Sequence, residues 1–283
     1  QLDLSAIDET QFLGYDRLNA EGKVLGLWND DLQVDSATPG KEYILALDQS
    51  PFYAESGGQV GDQGEFSGSN GSGQVVDCIK QGKFFLHKIN LEEGSVNLHD
   101  TLKLSVAPMM RSDAASNHSA THLMHAALKH VLGNHVEQKG SLVDSSKLRF
   151  DFSHPKAVTK DELKQIELLV NQQTLSNAEV KTELMQLDNA IASGAEAMFG
   201  EKYEDEVRVL SMGDGFSVEL CGGTHVSRTG DIGMFTILSE SSVSSGVRRI
   251  EAVTGLKAVE LMLDIRAQLQ DVQGILNVGA PQV

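Results

Sequence analysis

With 283 residues, 40% of them hydrophobic, the chain can bury a sizeable core, and its length suits two modest domains. A formal charge of −17, from 40 acidic against 23 basic residues, excludes a broad electrostatic footprint for nucleic acid, so any RNA contact must be local. Two cysteines, Cys78 and Cys221, exclude a disulfide framework and fit a reducing, cytoplasmic setting. The first residues carry no basic-then-apolar targeting pattern, and no apolar run reaches bilayer-spanning length. The chain starts at Gln rather than Met and ends in NVGAPQV, which suggests a piece of a longer protein.

Residues 1 to about 108 read as β-structure. The runs EYILALD, GQVVDCIKQGKFFLHKI and DTLKLSVAP are β-prone, Gln81-Gly82 looks like a hairpin turn, and Pro108 closes the region, so a small barrel or sandwich is expected. Between Gly57 and Gly73 stand seven glycines, which permit close backbone approaches or unusual turns, while the SGSNGSG part reads as a flexible hairpin loop. From about residue 111 the pattern becomes helical, with Ser112 and Asp113 as capping candidates, Leu123, Ala127 and Val131 on one stripe, and Gly133 at the end. A second helix is expected after Thr159, whose hydroxyl and Glu162 form a capping-box pair, with Leu163, Ile166 and Val170 facing inward.

VRVLSM and FSVEL read as strands flanking Gly213 to Gly215, and GMFTILSESSV with GVRRIEAV as an antiparallel pair around Ser244 to Gly246. The fold class is therefore α+β: a small N-terminal β-barrel, then helices packed on an antiparallel sheet, then a C-terminal helix. Ala258, Met262, Ile265, Leu269, Val272 and Leu276 follow alternating spacings of four and three, which is either a short coiled-coil seam or a helix lying on the domain. The expected boundaries are 1–110, 111–255 and 256–283.

The chemistry concentrates in two pairs. His118 and His122 project from one helix face a turn apart, and Cys221 and His225 repeat the spacing with two glycines between them. Three imidazoles and a thiol are a soft nitrogen-and-sulfur set that favours one tetrahedral zinc over magnesium or calcium. His125, one turn beyond His122, competes as a ligand, whereas His87, His99, His130 and His135 are read as ordinary surface or core residues. Arg248 and Arg249 are either a local RNA contact or a solvated strand face.

The stretches NHSATHLMHAAL, VEQKGSLV, CGGTHVSRTGDIG and SGVRRIEAVTG, with the earlier PFYAESGGQVGDQG, resemble the editing domain of the bacterial alanyl-tRNA synthetase family, shared with free-standing alanyl-tRNA editing proteins. The resemblance covers nearly the whole chain. It implies hydrolysis of serine or glycine from the acceptor end of mischarged alanine tRNA, the correction a synthetase needs because one methyl or hydroxyl gives little discrimination. It carries His118, His122, Cys221 and His225 over as zinc ligands and places Gln138 in the editing pocket, where its amide can orient water or ester but cannot act as a general base. Thr121, between the helical histidines, is expected either to recognise the serine hydroxyl or to bond back to its own helix. Gly57, Gly58 and Gln59 match the family's glycine-rich motif and are expected to line the same cleft, and self-association through the C-terminal helix is expected in the longer protein. No phosphate-binding loop or ATP-using core is visible, so aminoacylation is not expected of this segment. Two alternatives stay open: a free-standing trans-editing deacylase, and a zinc-stabilised module that binds tRNA or protein without turnover.

Overall fold

Short alternating runs separated by glycine-rich turns favour strands that close on themselves, and they do so here. The computed structural model describes residues 2–197 and 203–276, so residues 277–283 of the expected C-terminal segment lie outside the described residues. Its first six long strands are β1 (Asn19–Asn29), β2 (Glu42–Leu47), β3 (Gly64–Ser67), β4 (Gly71–Gln81), β5 (Phe84–Gly94) and β6 (Thr101–Val106). Their antiparallel order β6-β3-β4-β5-β2-β1 is closed by β6 pairing back onto β1, Thr101 opposite Lys23 and Ser105 opposite Asn19. Closure leaves these strands no long open edge. β6 shows why it forms: Leu102, Leu104 and Val106 are buried and the residues between them exposed, the period-two pattern of a strand with one face on a core. Around them pack Val24, Leu45, Phe52, Phe66 and Ile89, each such side chain stabilising by about 1.5–3 kcal/mol on burial.

Two positions explain the glycine density. The turn from Ser56 to Gln59 needs left-handed backbone, supplied by Gly57 and Gly58 at φ 58° and 84°. At Gly61 a Cβ would lie 2.1 Å from the Cys78 carbonyl oxygen, so any side chain would push the backbones apart. Of SGSNGSG, expected as a flexible loop, only residues 68–70 connect β3 to β4, since Ser67 and Gly71 to Gly73 are already paired in the strands, and the β4–β5 turn centres on Gly82 and Lys83.

His87 is wholly buried in the barrel, its Nε2 2.6 Å from Ser50 Oγ and its ring edge-on to Phe52. Burial pulls its pKa from 6.5 to about 4, because the charged ring would lose its hydration. Unfolding thus takes up a proton between those values, so the stabilisation is complete above pH 6.5 and fades as pH falls toward 4. Between neutrality and about pH 4.5 the loss from this residue is expected to be about 2–3 kcal/mol. Urea midpoints at both pH values should show it, and His87→Gln should flatten the difference; an equal acid loss in the variant would assign the effect elsewhere.

The chain divides into two compact units: residues 1–115 with 142–145 and 222–224, and the remaining described residues. Helix α1 (Pro108–Leu132) begins four residues before the capping candidates Ser112 and Asp113. Pro108 explains the shift, since a proline at the first helical position has no N–H to leave unpaired and a preset φ. Early in this helix Arg111 is buried and forms an ion pair with Asp62, and it donates to the carbonyls of Gly14 at 2.6 Å and Pro51 at 2.8 Å. Asp62 also accepts from the Tyr53 N–H at 2.7 Å.

In the second unit, the sheet order is β7 (Gln138–Val143), β8 (Leu148–Ser153), β13 (Val247–Thr254) and β12 (Phe235–Ser244). Helix α2 (Lys160–Ser176) starts with the expected box, Thr159 accepting from the Glu162 N–H while Glu162 accepts from Thr159. It docks on the sheet through Ile166 and Val170 and through Asn171, whose amide pairs with both backbone groups of Phe235. A smaller antiparallel sheet joins β9 (Lys181–Gln186), β10 (Glu206–Met212) and β11 (Ser217–Leu220), with the short helix α3 (Leu187–Ala192) following β9. These elements make the chain α+β. In the last helix, α4 (Gly255–Leu276), only Ala258 of the apolar seam is buried; Met262, Ile265, Leu269 and Val272 are each about two-fifths exposed or more.

Candidate metal centre

α1 places His118 and His122 one turn apart, with their rings stacked at 5.0 Å. β11 ends at Leu220 and delivers Cys221, whose N–H bonds the Arg208 carbonyl, and the chain turns back through two glycines to His225. Cys221 Sγ lies 3.5 Å from His118 Nε2 and 3.2 Å from His225 Nε2, and one donor atom from each of the four residues falls within 4.8 Å of the others. His122 hydrogen-bonds Glu219 through Nδ1, and its buried Nε2 has no hydrogen-bond partner. A buried imidazole nitrogen aimed at a thiol and two further imidazoles, with its other nitrogen on a carboxylate, fits a zinc ligand held by an outer carboxylate.

The electrostatics agree with that donor set. Burial alone would raise the Cys221 thiol, but the imidazoles around it, His118 foremost, hold it well below its ordinary range, so the thiolate forms readily. For His225, burial dominates and lowers the pKa to about 3, which keeps the ring neutral with a lone pair to offer. Its Nδ1 meets Ser119 Oγ at 3.0 Å, and the same hydroxyl accepts the Val226 N–H. Glu219, buried, is nevertheless held ionised by His122 and His125.

Glu219 and Ser119 escaped the sequence reading. Glu219 lies two residues before Cys221, but alternation alone did not tell whether that face of the strand is buried. Ser119 had no signal of its own. His125 does not join the four donors closely; its Nδ1 bonds Glu219 Oε1 at 2.7 Å. Gln138 lines a cavity of about 330 Å³ with His125, Lys129, Glu137, Glu196, Ala197 and Glu219. Thr121 is buried and donates to the Asn117 carbonyl at 2.8 Å, the back-bonded arrangement, which leaves its oxygen able to accept. Gln59 is buried in the first unit, with its amide bonding both the hydroxyl and the N–H of Thr224. Arg248 pairs with Glu240 and Arg249 with Asp151, so both guanidinium groups already have carboxylate partners.

Two family models match: tRNA synthetases class II (A) over residues 2–109, and the threonyl and alanyl tRNA synthetase second additional domain over residues 207–251. The chain thus lies among the class II aminoacyl-tRNA synthetases. Alanine–tRNA ligase of Shewanella loihica is 50% identical over 97% of this chain, and that of Saccharophagus degradans 54% identical over 96%. The chain belongs to the alanyl-tRNA synthetase family and spans 31% of the length of each of these relatives.

Proposed function

We propose that this chain is the editing part of an alanyl-tRNA synthetase and hydrolyses the aminoacyl ester of alanine tRNA carrying serine or glycine. The observation that carries the reading is the convergence of His118, His122, Cys221 and His225 in a chain of this family. Zinc bound there would supply positive charge near the ester carbonyl and hold the pocket in shape. Gln138 orients the ester or the attacking water through its amide, and Gly57, Gly58 and Gln59 contribute to substrate binding. Arg248 and Arg249 touch the acceptor end of the tRNA. In this reading 1–110 is a barrel domain, 111–255 carries the deacylase site, and 256–283 mediates self-association, for which the uncovered α4 seam is suited.

Seryl-, glycyl- and alanyl-tRNA of alanine specificity, incubated with the chain before and after zinc chelation, test it. Zinc-dependent loss of serine and glycine with alanine spared is expected. One observation favours a second reading: four protein donors fill a tetrahedral shell, as in structural zinc sites. Tight zinc with no turnover at saturating tRNA would support that non-catalytic module and sink the first reading.

Thr121 can still accept a hydrogen bond from the serine hydroxyl while donating to Asn117. Thr121→Val should therefore slow seryl-ester cleavage about tenfold relative to glycyl-ester cleavage. Equal slowing of both esters would assign Thr121 to helix packing alone.

A further inference from the structure

A histidine ring turns about its own side-chain bonds, so fixing its backbone does not aim its nitrogens. The other donors are steadied in visible ways: His118 and His122 share one helix, Glu219 bonds the His122 ring, and Cys221 directly follows a paired strand with its N–H on the Arg208 carbonyl. His225 has none of these holds. It ends a stretch that contains two glycines, whose backbone is permissive, and no helix or strand carries it. Its Nε2 nevertheless points at Cys221 Sγ, 3.2 Å away.

The group that aims it is Ser119, which is fully buried on α1. Ser119 Oγ meets His225 Nδ1 at 3.0 Å and accepts the Val226 N–H at 3.2 Å, so one hydroxyl grips both the ring and the backbone immediately behind it. The ring cannot turn away without breaking a hydrogen bond at a hydroxyl closed to solvent. A hydroxyl also serves either arrangement of the ring hydrogen. It donates to Nδ1 when Nε2 carries the hydrogen, and accepts from Nδ1 when Nε2 gives its lone pair to a metal. We propose that Ser119 is a positioning residue of the four-donor centre, holding His225 in its ligating orientation before a metal arrives. A ring already in place does not have to be ordered when the metal binds, which spares that entropic cost. The proposal rests on the metal-binding reading of the four donors and is independent of deacylation.

Ser119→Ala tests it, because alanine removes the hydroxyl and is the residue a helix tolerates best. Zinc and cobalt(II) affinities of the metal-free full chain are read by competition with a chelator, well below the melting midpoints of parent and variant. The variant is expected to bind about 10–100-fold more weakly, the loss usual for groups that orient a ligand. Cobalt should still develop the thiolate band of Cys221, while its ligand-field bands shift because the His225 bond is no longer held in one geometry. A residue that only packs α1 would lower the melting midpoint of the metal-free chain and leave affinity and bands alone; that result overturns the proposal. Ring-nitrogen NMR of the unaltered, metal-free chain gives a second reading that needs no variant: one ordered His225 ring is expected, and a freely averaging ring would sink the idea. A parent chain without the thiolate band would overturn the proposal together with the four-donor centre, whereas a parent with the band and a variant equal to it in affinity overturns the proposal alone.

Discussion

Replacing Cys221 with alanine is expected to lower zinc affinity by about 100-fold or more and to take deacylation down with it. Cys221 is the sole anionic donor among the four, and the imidazoles around it, His118 foremost, favour its thiolate before any metal arrives. Removing it leaves a dication facing three neutral imidazoles, and the loss exceeds the 10–100-fold typical of outer-layer partners. Because metal binding is also folding energy, the variant should melt earlier than the parent, and chelation should narrow the gap between them. Metal analysis after dialysis, together with melting curves with and without chelator, reads both effects. Normal zinc content in the variant would take Cys221 out of the ligand set.

The second large effect is expected at the start of the helix that carries His118 and His122. Arg111→Met leaves the buried Asp62 carboxylate without its ion-pair partner and leaves the carbonyls of Gly14 and Pro51 without their donor. Breaking one side of such a pair costs about 3–5 kcal/mol, a large share of the 5–15 kcal/mol that holds a typical domain together. Adding Asp62→Leu should return part of the loss, since no unpaired charge then remains, although the Tyr53 N–H still loses its acceptor. Denaturant unfolding of the two variants decides it. A loss under about 1 kcal/mol in Arg111→Met would mean that water reaches Asp62.

Much of this architecture was legible locally. Alternation in DTLKLSVAP is β6, the Thr159–Glu162 box starts α2, and the Ser244 to Gly246 region turns between β12 and β13. Barrel closure was not, because β6 pairs with β1 across some eighty residues and no local pattern records a partner that distant. The start of α1 was misplaced because Ser112 and Asp113 are good caps in isolation, yet Pro108 can begin a helix earlier. At the site, the two pairs whose side chains converge, His118 with His122 and Cys221 with His225, could be read from spacing. Glu219 could not be told from an outward-facing polar residue until β11 was seen to bury it. The pairing of Arg248 with Glu240 and Arg249 with Asp151 runs between strands, so neither arginine's partner could be named from its own neighbourhood.

Glu219 holds two imidazoles with one carboxylate, Oε2 toward His122 and Oε1 toward His125. A charge that draws electron density through one oxygen weakens what the other oxygen can offer, so the basicity of His122 and the state of His125 are thermodynamically linked. Linkage is reciprocal: whatever a ligand in the cavity that alters the hold of His125 on Oε1 would do to metal affinity at His122, a metal at His122 would do to that ligand by the same factor. What His122 can offer a metal would therefore be adjustable from a cavity that none of the four clustered residues lines.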